Sequence, residues 1–495
     1  MNKARQSDKY RESDSAIVPM KQVMTVDGKG ANAKNNLTGK HLLNAETGEI
    51  KVKTKLERIA EISKANEKEQ FNNIIHLVNP ELLMLCHKEM ETDKAAGVDE
   101  ITKREYEENV GTNVNDLWLR LKSFSYKPQP VRRTYIPKAG SDKLRPLGIP
   151  TYEDKLVQSA MAKILTAIYE PIFMEFSYGF RENRGCHQAL GAVTYILENK
   201  KTRYVVDADI KGFFDNVSHE WVIKFLEHKI TDKNFIRLLK RVLMAPIEKN
   251  GKLTQSDFGC PQGGCISPVI ANIYLHYVLD LWFEKKIKKE YRYDSHMVRY
   301  ADDYVCCFES EFEAKEFLMQ LKMRLKQFNL ELAEDKTKIL MFGRFAESDM
   351  KKSGGGKPST FDFLGFTHYC SRSLDGKRFR VKRTTSKKKK KASREKISKW
   401  IKQNMHERPK WLVFELNRKL VGYFNYYGIT DNGRQIQKMR EYVVKTLYKS
   451  LRRRGNRNKL TWDSFNKMLE FYKLKRAYTK VNIYNVIKTI AIEKL

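Results

Sequence analysis

The chain has 495 residues, of which 41% are apolar and 31% charged, with 94 Lys and Arg against 60 Asp and Glu. That length exceeds one ordinary core and predicts two to four domains, and the apolar fraction is that of a soluble globular protein. No run is long and apolar enough to span a bilayer and no apolar signal core opens the chain, while seven cysteines without a Cys-x-x-Cys pair exclude a disulfide framework and the usual zinc ribbon.

In chain order, residues 1–55 are polar and basic and read as a disordered arm. Helical spacing of apolar residues begins at 56 and continues to 117, as in Phe71-Ile74-Ile75-Val78. Residues 131–149 read as extended, with a turn at Gly140-Ser141. A helix is predicted over 152–173, a strand over 203–210 and one or two helices over 220–244. Another helix is expected over 266–283, a tight hairpin over 296–308 and a helix over 311–328. The Gly354-Gly355-Gly356 run is a flexible loop, and 361–369 is a short extended piece. Helical periods return at 411–427 and 436–451.

Charge is unevenly placed. Residues 376–495 hold 35 Lys and Arg against 8 Asp and Glu, a net of +27, and the rest of the chain only +7. Such a block repels itself unless a polyanion neutralises it, so nucleic acid is the natural partner. A solvated basic surface is the competing reading, but aromatic residues are interleaved with the charge, as stacking on bases requires.

Two segments carry acids in a useful geometry. Asp207 and Asp209 are two apart on a predicted strand and face one side. Asp302 and Asp303 sit at the turn of the hairpin Met297-Val-Arg-Tyr-Ala-Asp-Asp-Tyr-Val-Cys-Cys-Phe308. Adjacent like charges need a cation, and Mg2+ takes a few carboxylates plus substrate phosphates. Two such ions form the clamp of in-line phosphoryl displacement. Tyr-x-Asp-Asp alone is weak evidence, since chance gives it in roughly one chain of this length in twenty.

The flanking residues sharpen the signal. Tyr300-Ala301-Asp302-Asp303 resembles the signature hairpin of reverse transcriptases, Asp207-Ala-Asp-Ile-Lys-Gly-Phe-Phe-Asp215 their first catalytic block, and Gly259-Cys-Pro-Gln-Gly-Gly-Cys-Ile-Ser-Pro268 the block under template and nucleotide. Ala96-Gly-Val-Asp99, Tyr135-Ile-Pro-Lys138, Leu144-Arg-Pro-Leu-Gly-Ile-Pro150 and Tyr178-Gly-Phe-Arg181 resemble finger blocks of the bacterial group II intron reverse transcriptase/maturase family. Glu334-Asp-Lys-Thr-Lys338 and Phe363-Leu-Gly-Phe366 resemble its last palm blocks, and Leu416-Asn-Arg-Lys-Leu-Val-Gly-Tyr-Phe-Asn-Tyr-Tyr427 its maturase region. Cys260 and Cys265 stand where other members often carry Thr and Val, and nothing after Cys370 resembles the family's His/Cys endonuclease domain.

The resemblance implies an α+β right-hand polymerase with fingers and palm, followed by an α-helical thumb or maturase domain. The expected domains are the arm 1–55, N-terminal extension and fingers 56–203, palm 204–375, thumb 376–455 and a basic, DNA-contacting appendage 456–495. It implies RNA-directed DNA synthesis with two Mg2+ ions, Mn2+ being able to substitute. It implies intron RNA, an RNA template with DNA primer, target DNA and deoxynucleotides as partners, and a bacterial cytosolic or nucleoid location. On the residues alone Asp207, Asp209 and Asp215 all compete as the first metal ligand; the resemblance maps that role onto Asp209, with Asp302, Asp303 and the Ile210 carbonyl.

By the same resemblance Lys138 and Arg145 hold the triphosphate, Gln262 lies against substrate, Phe214 is the steric gate against ribose, and Lys336 protonates pyrophosphate. The competing readings are solvated charges, a plain turn, a packed ring and a surface lysine. Lys387, Lys388, Lys389, Lys390, Lys391, Arg452, Arg453 and Arg454 are the expected nucleic-acid contacts. The rival functions are a stand-alone reverse transcriptase of retron, defence or diversity-generating type, and an RNA-binding maturase without polymerase activity.

Overall fold

Helices alternate with strands and hairpins as far as Thr385, and beyond it the named elements of the described residues are all helices. The computed structural model describes residues 39–137, 144–255, 258–259, 263–352, 354–454 and 460–490. The strands are β1 (Val131–Pro137), β2 (Leu144–Ile149), β3 (Tyr204–Ala208), β4 (Ile247–Lys249), β5 (Lys252–Thr254), β6 (Ser295–Tyr300), β7 (Asp303–Phe308), β8 (Lys338–Met341), β9 (Phe361–Phe363), β10 (Phe366–Arg372) and β11 (Phe379–Thr385). They form three sheets, ordered β2-β1-β4-β5, β6-β7-β3-β8 and β11-β10-β9.

The β6-β7-β3-β8 sheet is antiparallel throughout. Val205, Val206, Val305, Cys306 and Phe308 have no exposed surface, so the sheet is covered on both faces. Helix Glu311–Gln327 packs on β3 and β7. Ser310 starts it by accepting a hydrogen bond from the Glu313 amide, which satisfies one orphan donor of the first turn. Helix Cys186–Asn199 covers β6, β7 and β11. This helix is absent from the sequence expectations for a physical reason. Ala189, Leu190, Ala192, Val193, Ile196 and Leu197 are all buried, so it is apolar nearly all round and shows no one-sided stripe.

Two expected boundaries fall inside elements. Helix Gly39–Ala65 runs through 55/56. The hairpin β10–β11 straddles 375/376, pairing Phe366 with Thr385 through to Arg372 with Phe379. Strand β11 escapes the helical reading of the basic block because one of its inward positions is Arg383, which disguises the alternation of Val381 and Thr385. Helices Lys387–Gln403, Pro409–Tyr427, Gly433–Arg452 and Trp462–Phe471 then share a second core around Ile401, Leu416, Leu420, Val443, Leu447 and Phe465. Helix Ile483–Thr489 returns to Cys186–Asn199, where Gly191 admits Val486 and Ile487. No helix among the described residues is long and apolar enough to cross a membrane.

Candidate active site

Tyr300 of β6 pairs with Asp303 of β7, which leaves Ala301 and Asp302 as a two-residue loop. Ala301 lies in the left-handed region at φ 56°. Such a conformation needs support from its surroundings. The segment before Phe180 supplies it: the Arg299 amide donates to the Phe176 carbonyl at 2.8 Å, and the Tyr178 amide to the Arg299 carbonyl at 2.8 Å. Gly179 then lies so close that a Cβ would stand 2.2 Å from the Ala301 nitrogen. From beneath, Asn272 Nδ2 donates to the Gly179 carbonyl at 2.7 Å.

The loop also rests on a buried ion pair. Arg299 and Asp280 side chains have no exposed surface, and Arg299 Nε donates to Asp280 Oδ1 at 2.7 Å. The same guanidinium donates to the Ala301 carbonyl at 2.9 Å, to Asn272 Oδ1 at 3.1 Å and to Ser177 Oγ at 2.8 Å. Asp280 comes from a π-helical turn, His276–Asp280, that interrupts the helix begun at Ser267. None of Ser177, Gly179, Asn272, Asp280 and Arg299 stands out in the sequence as a site residue. The available signal is Arg299 itself, a charge beside Met297 and Val298 in a strand that the hairpin buries, which obliges a buried partner.

Asp209 follows β3 by one residue. Its carbonyl accepts from the Ala333 amide at 2.8 Å, and the Lys211 amide donates to the Glu331 carbonyl at 2.8 Å. These two bonds bracket Ile210, which faces Leu332, and neither uses the Ile210 carbonyl. Asp207 lies opposite Val305, two residues along β7 from Asp303, so Asp207 and Asp303 share a face. Asp303 is exposed to solvent, yet desolvation by the surrounding protein first, then Asp302, Asp209 and Asp207, pushes its carboxyl up to about 7. Burial raises Asp302 as well, with Asp209 adding to it and Arg145 opposing. Asp207 is pushed up to about 6 by burial, then Asp362 and Asp209.

An ammonium already answers this crowding: Lys336 Nζ bonds Asp209 Oδ2, and that bond raises the lysine's pKa. Among the described residues, no three His, Cys, Asp or Glu side chains converge as a ready-made ligand set. The carboxylates face one another at Coulombic range instead. Hard oxygen donors that repel each other and have drawn in a cation fit a hard divalent metal ion. Asp215, the remaining sequence candidate, is exposed in the short helix Phe213–Asn216.

Arg145 sits on β2, opposite Ile136 of β1. Lys138 and Gln262 lie outside the described residues. Gly263, next to Gln262, has φ 112°, and a Cβ there would stand 2.7 Å from the Gly148 carbonyl of β2. Phe214 is half-buried, its ring 5.2 Å from that of buried Phe213, and its carbonyl lies against Gly259. The lysine run opens helix Lys387–Gln403, which Ser386 caps, and 387–389 and 391 are exposed. Lys389 packs on Gly365 and is near enough to Asp303 to oppose its rise. Arg452, Arg453 and Arg454 are exposed at the end of Gly433–Arg452, where Arg454 donates to the carbonyls of His406 and, at 2.8 Å, Glu407.

Residues 136–368 match the reverse transcriptase (RNA-dependent DNA polymerase) family, and residues 390–468 match the group II intron maturase-specific domain. The chain is 34% identical over 313 residues to the group II intron-encoded protein LtrA of Lactococcus lactis subsp. cremoris, covering 61% of this chain and 52% of that protein. It is 32% identical over 276 residues to protein YkfC of Escherichia coli (strain K12), covering 49% and 71%, and 33% identical over 266 residues to an uncharacterized 91 kDa protein in a cob intron of Schizosaccharomyces pombe, covering 51% and 32%. The chain thus spans about half the length of LtrA. With the hairpin carboxylates in the first matched region and the basic helices in the second, the chain belongs to the group II intron reverse transcriptase/maturase family.

Proposed function

We propose that this protein copies RNA into DNA and also binds its own intron RNA, assisting splicing and mobility. The observation that carries the reading is the meeting of Asp209, Asp302 and Asp303 at one end of the β6-β7-β3-β8 sheet, with Lys336 on Asp209. In this reading residues 56–203 are the extension and fingers, 204–375 the palm, 376–455 the thumb and 456–495 a DNA-contacting appendage. Retained carboxylates speak against a maturase that has lost polymerase activity. The maturase-specific match speaks against a stand-alone reverse transcriptase.

Asp209, Asp302, Asp303 and the Ile210 carbonyl would hold two divalent cations. When bound, such cations lower the pKa of the attacking 3′-hydroxyl and neutralise charge on the departing pyrophosphate. The chain's own residues do the rest. Lys138 and Arg145 grip the triphosphate with charge-assisted hydrogen bonds. Gln262 lies against the nucleotide, and its neighbours Gly263 and Gly264 in the sequence leave room for backbone to approach closely. Phe214 fills the space of a ribose 2′-hydroxyl. Lys336 moves from Asp209 to protonate pyrophosphate. The lysines at 387–391 and the arginines at 452–454 neutralise RNA and DNA phosphates.

The test is primer extension on an RNA template with deoxynucleotides, with Mg2+ and with chelator, beside binding of the intron RNA. Cation-dependent extension and tight binding of that RNA are expected. No extension under any cation would overturn the polymerase reading.

A further inference from the structure

We infer that Phe180 is a nucleobase-stacking residue, holding the first unpaired base of the template strand beside the Ala301-Asp302 loop. The inference rests on the polymerase reading above and adds a contact to it. Phe180 is 54% exposed, unusual for a ring in an otherwise anchored segment. Its backbone lies in the left-handed region at φ 57°, which strains a bulky residue. The residues on either side leave it no freedom. Gly179 abuts the Ala301 nitrogen and is tied to Asn272. Arg181 is buried, with its guanidinium 2.8 Å from Glu170 and donating to the carbonyls of Met174 at 2.7 Å and Ser177 at 2.8 Å.

A rigid loop thus keeps an apolar ring in water, in a strained conformation, one residue from the glycine that abuts the loop carrying Asp302. Glycine would fit that φ better, so folding does not explain the phenylalanine. A flat apolar face at a site that handles nucleic acid suits a base, because every base has a π-face and stacking needs no sequence. Arg145, within Coulombic reach of Asp302, and Lys336, bonded to Asp209 and within reach of Asp303, supply positive charge around the loop. Unlike the basic run at 387–391, the ring binds without charge, so its contribution does not weaken with salt.

The test uses the full chain, an RNA template annealed to a DNA primer, and 2-aminopurine at the first unpaired template position. Binding is read without nucleotide, so the result does not depend on catalysis. For Phe180→Gly we expect an unchanged or raised denaturation midpoint, loss of the 2-aminopurine quench and about tenfold weaker binding of the primer–template. Phe180→Trp restores both quench and affinity. Retained quench and affinity in Phe180→Gly would overturn the stacking role. So would a loss that tracks a lowered midpoint and is not rescued by Phe180→Trp. A wild-type protein that quenches and binds but never extends would refute the polymerase reading and leave the stacking role standing.

Discussion

Replacing Asp280 with asparagine leaves a guanidinium charged where neither partner has any exposed surface. Removing one member of a buried pair costs about 3–5 kcal/mol. Arg299 keeps its bonds to Asn272, Ala301 and Ser177, so the lower end applies. About 3 kcal/mol is roughly a 150-fold shift in the folding equilibrium, visible as a lowered urea midpoint. The double replacement Asp280→Leu with Arg299→Met separates stability from function. Apolar substitution of a whole buried pair is near neutral or stabilising. The midpoint should therefore recover, while the bond from Arg299 to the Ala301 carbonyl stays broken. With the loop no longer fixed, Asp302 moves, and misplacement near 1 Å costs about 100-fold in rate. Primer extension should fall by about 10- to 100-fold in a protein as stable as the wild type. A stable double variant with full activity would show that the ion pair does not position the loop.

Three further outcomes follow from the same geometry. Lys336→Met removes a half-exposed ion pair, so stability should change by less than about 1 kcal/mol while single-turnover extension slows at least about tenfold; equal rates would leave Lys336 a surface lysine. Phe214→Val should raise ribonucleotide incorporation relative to deoxynucleotide on an RNA template, and an unchanged ratio in an active variant would remove the gate. Changing all five lysines at 387–391 to Gln should flatten the log–log salt dependence of RNA binding, by about 0.7 to 0.9 for each phosphate no longer neutralised. Survival of both slope and affinity would put the grip elsewhere.

Much of the site is legible in the sequence because local patterns carry it. The hairpin at 296–308 needs only two apolar arms and a two-residue turn, and β3 only a short β-branched run ending in acids. What stays hidden depends on distant partners. Asp280 lies 19 residues from Arg299 in the chain, and a π-turn sets its register, which no helical period reveals. Gly179 belongs to the recognised block Tyr178-Gly-Phe-Arg181, but its close approach to Ala301 is a contact between distant segments that the block does not reveal. Helix Cys186–Asn199 is hidden because full burial erases amphipathic contrast, and β11 because a buried arginine stands where a strand ordinarily shows an apolar residue.

The most direct measurement is primer extension and intron-RNA binding by Asp302→Asn on one preparation. The substitution keeps the side chain's size and removes a charge from the place where three carboxylates meet. Synthesis depends on that charge and should fall by orders of magnitude. In the proposed reading RNA binding rests on the dispersed basic surface of the C-terminal helices, so it should persist, as should protein-assisted splicing at low Mg2+. Extension at the wild-type rate would contradict the account, since it would place the catalytic centre away from the β6–β7 hairpin.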